Sequence, residues 1–430
     1  MRTSIAFAWM ACTVLSACSS TPSGPDALRE SRNWYAAWAA SHSSRLTEPS
    51  MAGRTVRMIL RPNIGGDGVR VKLENTFGQA PVVFSGAFIG LAGSGAEVRS
   101  NARLTFAGQA RLTLAPGQGI YSDPVAIPLK AFDKLALSLE VESAADISSH
   151  DLGLRINWSV AGARGAQESA DGFEPLQLIG KNPGTARRPF YWVAALDVHA
   201  PDTGGSIALL GDSITDGTCS SRDGQGKEQP DLYQRWGDVM AVRLAAKPPA
   251  EQRGIADVGI AGNRVLTPAK NRGMSALDRL ERDVLDRTGI THLVLFEGTN
   301  DIGSAKASAP EIIAGQQQII DKAHAKGIKI IGATIIPRGR PAPQTDWSGP
   351  QETQRLALNE WIRHRAAFDG VIDFDRLMQN GPVVVQADGS SAPSIPPEWN
   401  CGDSTHPNTA GYRAMGEFVD LQLFDGVHGR

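Results

Sequence analysis

The chain is expected to join an antiparallel β-sandwich to a three-layer α/β domain with a parallel sheet, and three observations carry that expectation. Its 430 residues exceed one ordinary core, because domains usually run about 100–200 residues. From about residue 50 to 200, short alternating strands follow one another without a convincing helix, which is the texture of a sandwich. After residue 206, apolar strands alternate with amphipathic helices, as a parallel sheet covered on both faces requires. The composition, 41% hydrophobic with 46 Gly and 26 Pro, fits a folded chain rich in turns. A formal net charge of −2 leaves no basic footprint for a phosphate backbone, so nucleic acid is not an expected partner.

The first residues are set apart from the fold. Arg2 supplies a positive start, an apolar stretch runs from Ile5 to Val14, and Leu15-Ser16-Ala17-Cys18 resembles a bacterial lipobox. Residues 1–17 are therefore expected as a lipoprotein signal peptide, too short for a membrane span, with Cys18 lipidated and 18–30 as a tether. An ordinary secretory signal cleaved nearby is the alternative. Both place the protein outside the cytoplasm, and the lipid reading makes it an outer-membrane or periplasmic lipoprotein whose contact with the membrane is its anchor alone.

Residues 31–200 are assigned to an aromatic opening followed by the sandwich. Val69, Val71 and Leu73 alternate with Arg70, Lys72 and Glu74, and Leu135, Leu137, Leu139 and Val141 repeat the period of a half-buried strand. Arg103 to Phe106 and Arg111 to Leu114 are further strands, Phe190 to Val198 closes the set, and Pro201 to Gly205 reads as a linker. Residues 201–430 form the second domain. Strands are expected at Ser206 to Leu210, Ile255 to Ile260, Leu293 to Phe296, Ile328 to Ile336 and Val371 to Phe374. Helices are expected at Leu232 to Leu244, Met274 to Leu285, Glu311 to His324, Gln351 to Phe368 and after Asn408. In such a sheet the active site lies at the carboxyl ends of the strands.

Chemistry-bearing motifs fall at those ends. Gly211-Asp212-Ser213-Ile214-Thr215-Asp216-Gly217 follows the first strand, where a serine becomes a nucleophile if a base takes its proton. In isolation, an Asp-Ser pair is more often a helix cap. Gly262, in Gly259-Ile260-Ala261-Gly262-Asn263-Arg264, lets the backbone approach a ligand. Asn300 and Asp301 follow the strand ending at Phe296, a pattern that alone would mark a turn. Asp403-Ser404-Thr405-His406-Pro407-Asn408 lets one carboxylate orient the imidazole of its own loop, with Gly411-Tyr412 on the helix that opens behind it.

These four blocks, in this order, resemble the SGNH/GDSL hydrolase superfamily over residues 206 to 424. The resemblance implies a flavodoxin-like domain and a serine esterase with Ser213, Asp403 and His406 as catalytic residues and no cofactor. It places Ser213, Gly262 and Asn300 at the oxyanion hole. Trp34-Tyr35-Ala36-Ala37-Trp38, Val69 to Gly78 and the Ser122-Asp123-Pro124 turn look like bacterial secreted GDSL-type esterases with an N-terminal β-sandwich, including enzymes linked to polysaccharide deacylation. Trp34 and Trp38 are read as packing residues between the domains, with a sugar platform as the alternative. The implied substrate is a small-molecule or saccharide ester carrying a short acyl chain. A lipase- or thioesterase-like activity on lipid, or a glycan-binding surface protein with a vestigial hydrolase domain, stands as the alternative.

Of the 4 cysteines, Cys219 and Cys401 lie in the folded part, close in sequence to Ser213 and His406. If those two residues meet, a disulfide is permitted in an oxidising compartment; two separate buried thiols are the alternative. His42, His150, His199, His292, His324, His364 and His428 are read as surface or packing residues, with no metal cluster among them. Substrate choice is assigned to the loops from Thr218 to Pro230 and from Arg338 to Pro350, whose shapes, like the oligomeric state, are not legible.

Overall fold

A computed structural model describes residue 28 and residues 31–176, 187–222, 227–344 and 346–426. The expected signal peptide, Cys18, most of the tether and His428 lie outside the described residues.

The N-terminal half is all antiparallel. Its long sheet centres on Arg54–Leu60, Leu135–Ser143 and Val82–Ala92. A second sheet runs through Trp34–Ala39, Val193–His199, Gly68–Glu74 and Gly119–Tyr121. Val56, Met58 and Leu60 from the first and Val69, Val71 and Leu73 from the second share one buried core, as inward-facing alternate residues of two stacked sheets do. The strand expected from Phe190 to Val198 is interrupted at Trp192, whose φ of 56° breaks the extended run. Of the strand expected from Arg103 to Phe106, only Arg103 and Leu104 lie in one, at the end of Val98–Leu104.

In the C-terminal half, five parallel strands lie in the order Gly254–Asp257, Ser206–Gly211, Ile290–Phe296, Lys329–Ala333 and Gly370–Ile372. Ser206–Gly211 is buried throughout because it has a neighbour on each edge and a helical layer on each face. The chain leaves this strand for one edge of the sheet, then crosses to the other. That reversal makes its carboxyl end the switch point where open α/β sheets bind ligands.

Helix Ala309–Ala325 starts with a Ser308/Glu311 capping box and buries Ile312, Ile319, Ile320 and Ala323 at helical spacing. Other bounds shift for local reasons. The helix expected from Leu232 begins at Trp236, because Asp231 and Tyr233 sit at positive φ and the Asp238 carboxylate takes the Arg235 N–H. Met274 to Leu285 is a short α-helix, Ala276–Leu280, running into a π turn, Glu281–Leu285. The last parallel strand stops at Ile372, since Asp373 caps a new helical turn.

The two halves share a buried contact. Strand Trp34–Ala39 pairs with Val193–His199, and its Ala36 N–H donates to the Thr288 carbonyl of the second domain at 3.0 Å. Asn63 bridges both ways, donating to the Arg253 carbonyl at 2.8 Å and accepting from the Ile255 N–H at 2.7 Å. The segment expected as a linker is pinned, with the Gly205 carbonyl accepting from Gly254 N–H at 2.9 Å. Trp34 is buried against His199, and Trp38 packs edge-on against Phe190. Among the described residues, no helix is long and apolar enough to cross a membrane.

Candidate active site

Ser213 opens the short helix Ser213–Asp216 directly after the first parallel strand. The turn is this tight because residue 211 is glycine. A Cβ there would sit 2.3 Å from Thr215 Oγ1 and 2.6 Å from the Phe296 carbonyl oxygen. Asp212 caps the helix, accepting the Ile214 N–H at 2.9 Å, so the cap falls on Asp212 and the candidate nucleophile Ser213 stands beside it.

The Asp403 to His406 loop comes to the same point. His406 Nε2 lies 2.7 Å from Ser213 Oγ, and His406 Nδ1 lies 2.7 Å from Asp403 Oδ2. A carboxylate accepts only, so Nδ1 carries the proton and Nε2 presents its lone pair to the serine hydroxyl. Asp403 Oδ1 also accepts the N–H groups of Thr405 and His406, each at 2.9 Å. Burial raises the Asp403 carboxyl, but the His406 ring and these two N–H groups outweigh it and hold Asp403 well below the usual carboxylate range.

Cys219 and Cys401 are joined in a disulfide with their Cα atoms 6.2 Å apart, which fastens the loop after Ser213 to the loop that carries His406. Tyr412 Oη donates to the Thr218 carbonyl at 2.7 Å and Thr409 Oγ1 to the Arg222 carbonyl at 2.6 Å, so the helix behind His406 grips the same loop. Cys219, Cys401 and Asp403 place donor atoms within 4.8 Å of one another, but bridged sulfurs are not thiolate ligands.

Gly262 has a φ of 80°, a conformation that favours glycine, and the Arg272 side chain covers it. Its loop is held by Asp301, whose carboxylate accepts the Val265 and Leu266 N–H groups at 2.9 and 3.1 Å. Asn300, on the turn Thr299–Gly303, donates one amide hydrogen to the Asn263 carbonyl at 3.0 Å, leaving a second for another acceptor. Among the described residues, the N–H groups of Ser213 and Gly262 have no protein acceptor.

Several functional neighbours carried no sequence signal. Arg340 donates to the Asp403 carbonyl at 2.5 Å and to Thr405 Oγ1, tying down the base loop from 63 residues away. Arg338 donates to Thr299 Oγ1 at 2.7 Å. Both belong to the loop assigned to substrate choice. Burial pushes the Asp212 carboxyl up to about 7, and Glu297, with neither oxygen hydrogen-bonded among the described residues, is pushed well up by burial and by the nearby Asp212. His150 is a buried residue, within its reading as a surface or packing one, and its Nε2 lies 3.2 Å from Asp216 Oδ1 in the helix that Ser213 opens.

Residues 209–414 match the GDSL-like Lipase/Acylhydrolase family. No curated protein matches the chain. Among solved structures, the chain is similar to a family two carbohydrate esterase from Cellvibrio japonicus, with 11% identity over 92% of this chain and 97% of that one and a TM-score of 0.36. It is also similar to the native aryl esterase of M. smegmatis, with 16% identity over 50% of this chain and 95% of that one and a TM-score of 0.38.

Proposed function

We propose, from the match of residues 209–414 to the GDSL-like lipase/acylhydrolase family, that the chain is a serine esterase acting on short-chain acyl esters. The observation that carries this reading is the continuous line from Asp403 through His406 to Ser213, with 2.7 Å at each link. Ser213 Oγ attacks the ester carbonyl as His406 Nε2 takes its proton. Asp403 stabilises the imidazolium, and His406 returns the proton to the leaving alcohol. The N–H groups of Ser213 and Gly262 and the free Asn300 amide hydrogen receive the oxyanion. Water, activated by His406, then releases the acid.

The loops that carry the triad are held by polar and charged side chains, with Arg340 on Asp403 and Thr405, Arg338 on Thr299 and Asn300 on Asn263, and this favours a short acyl group on a polar carrier such as a saccharide. A disulfide bonding the two catalytic loops favours an exported protein, because such bonds persist in oxidising compartments. Together with the lipobox-like run ending at Cys18, it supports a lipid-anchored protein of the bacterial envelope.

A panel of acetylated saccharides, aryl acetates and longer acyl esters tests the reading. Wild type is expected to favour acetyl over long chains, and Ser213→Ala to lose turnover on the order of 10³–10⁶-fold while staying folded. Near-normal rates in Ser213→Ala would remove the mechanism, and preference for long chains would move the substrate to lipid.

A further inference from the structure

We propose that His150, at the end of strand Ile147–His150 in the N-terminal half, is a positioning residue for the oxyanion hole of the other domain: as an imidazolium between the Ser41 carbonyl and Asp216, it holds the carboxylate that anchors Ala261, the residue before Gly262. The proposal rests on the esterase reading above and adds to it a contribution from outside the hydrolase domain.

The contacts run in one line. His150 Nδ1 lies 2.8 Å from the Ser41 carbonyl oxygen, so Nδ1 carries a proton. His150 Nε2 lies 3.2 Å from Asp216 Oδ1, an approach by distance rather than an aligned hydrogen bond. A lone pair on Nε2 facing a buried carboxylate oxygen at that range would be repulsive, so this nitrogen is protonated too. The other Asp216 oxygen, Oδ2, accepts the Ala261 N–H at 2.7 Å. From the opposite side Arg272 Nη1 donates to the Ala261 carbonyl at 3.3 Å. The Ala261 carbonyl and the Gly262 N–H share one planar peptide unit, so anchoring residue 261 through its N–H in the preceding unit and holding that carbonyl together set the direction of the Gly262 N–H.

Asp216 ends the helix that Ser213 begins, so the same carboxylate ties the oxyanion loop to the nucleophile. Without His150, Asp216 would face Asp257 and Asp212 across a buried site, with Arg235 and Arg272 as the nearby cations. Burial lowers the His150 ring and Arg235 adds to that, but Asp216 and the Ser41 carbonyl outweigh them and raise it, with His42 the other titratable group beside it. Arg235 is itself engaged by Asp257 at 3.1 Å. A cavity of about 50 Å³ reaches His150 between Trp38, Tyr233, Arg235 and Asp257, which leaves room for proton exchange at the domain boundary.

The test is steady-state hydrolysis of 4-nitrophenyl acetate by the full chain, comparing wild type, His150→Gln, Asp216→Asn and the double variant across pH. Each single variant is expected to lower kcat about 10–100-fold, with KM changed less than about threefold, less than outright loss of an oxyanion donor. The double variant is expected to fall no further than the worse single one, because both changes break one line of contacts. Wild-type kcat is expected to decline as pH rises through the His150 titration, and Asp216→Asn to lack that limb. A kcat for His150→Gln within about threefold of wild type, or additive losses in the double variant, would overturn the proposal. So would losses matched by the unfolded fraction seen by circular dichroism. If His150→Gln does not fold, the wild-type alkaline limb and its absence in Asp216→Asn decide the matter. A wild type without ester turnover overturns the esterase reading as well, which separates the two failures.

Discussion

At Ser213 the strand ends and the helix begins within two residues, because Gly211 leaves open the space that Thr215 and the Phe296 carbonyl occupy. In the proposed mechanism the serine's reactivity depends on a ring whose tautomer Asp403 selects. Asp403→Asn keeps the shape but no longer fixes Nδ1 as the protonated nitrogen. It is expected to lower kcat on the order of 10²–10⁴-fold with little change in KM, read by steady-state kinetics on an aryl acetate. The same carboxylate carries a pH signature. Its folded value lies below its unfolded one, so its contribution to stability is present above the ordinary carboxylate range and is lost as pH falls below it. Asp403→Asn is therefore expected to differ from wild type in denaturant midpoint near neutral pH and to converge with it in acid.

The elements most legible in the sequence were those whose burial is decided locally. Within Ser206–Gly211 and Ile290–Phe296, Ile207 to Leu210 and Leu293 to Phe296 are continuous apolar runs because a central parallel strand is covered on both faces, and their ends carry the motifs. Strand Trp34–Ala39 was not legible as a strand, because its WYAAWA text lacks alternation. One edge pairs with Val193–His199 while its faces are closed by both domains. Arg340 was equally hidden, since nothing in its own segment points to a loop 63 residues away. The Cys219–Cys401 bridge spans 182 residues and joins two loops otherwise held by Tyr412, Thr409 and Arg340. Opening it by the Cys219→Ser/Cys401→Ser pair is expected to cost roughly 2–4 kcal/mol in chemical denaturation. The polar contacts that remain should preserve part of the turnover, so a double variant with unchanged stability would assign the bridge no structural role.

On the scale of the whole molecule, the sandwich and the hydrolase domain are coupled by buried charge as well as by packing. Glu74 of the sandwich strand Gly68–Glu74 lies 3.7 Å from Arg287 and 3.0 Å from Lys72. Arg287 is fully buried, its guanidinium has no hydrogen-bond partner among the described residues, and its charge is balanced by Glu74 and by Asp283 at 3.7 Å. Burial raises the Glu74 carboxyl, but the Arg287 and Lys72 charges outweigh it and hold it at about 2. Glu74→Gln leaves Arg287 short of one counter-charge in a dry interface, which is expected to cost about 3–5 kcal/mol near neutral pH. The sign follows from linkage: a depressed carboxyl stabilises the fold above its unfolded value of about 4.3 and loses that contribution as pH falls toward its folded value. Urea unfolding of wild type and Glu74→Gln should thus diverge most at neutral pH and draw together in acid. A difference that stays constant with pH would show that the variant acts through packing rather than through the charge that joins the domains.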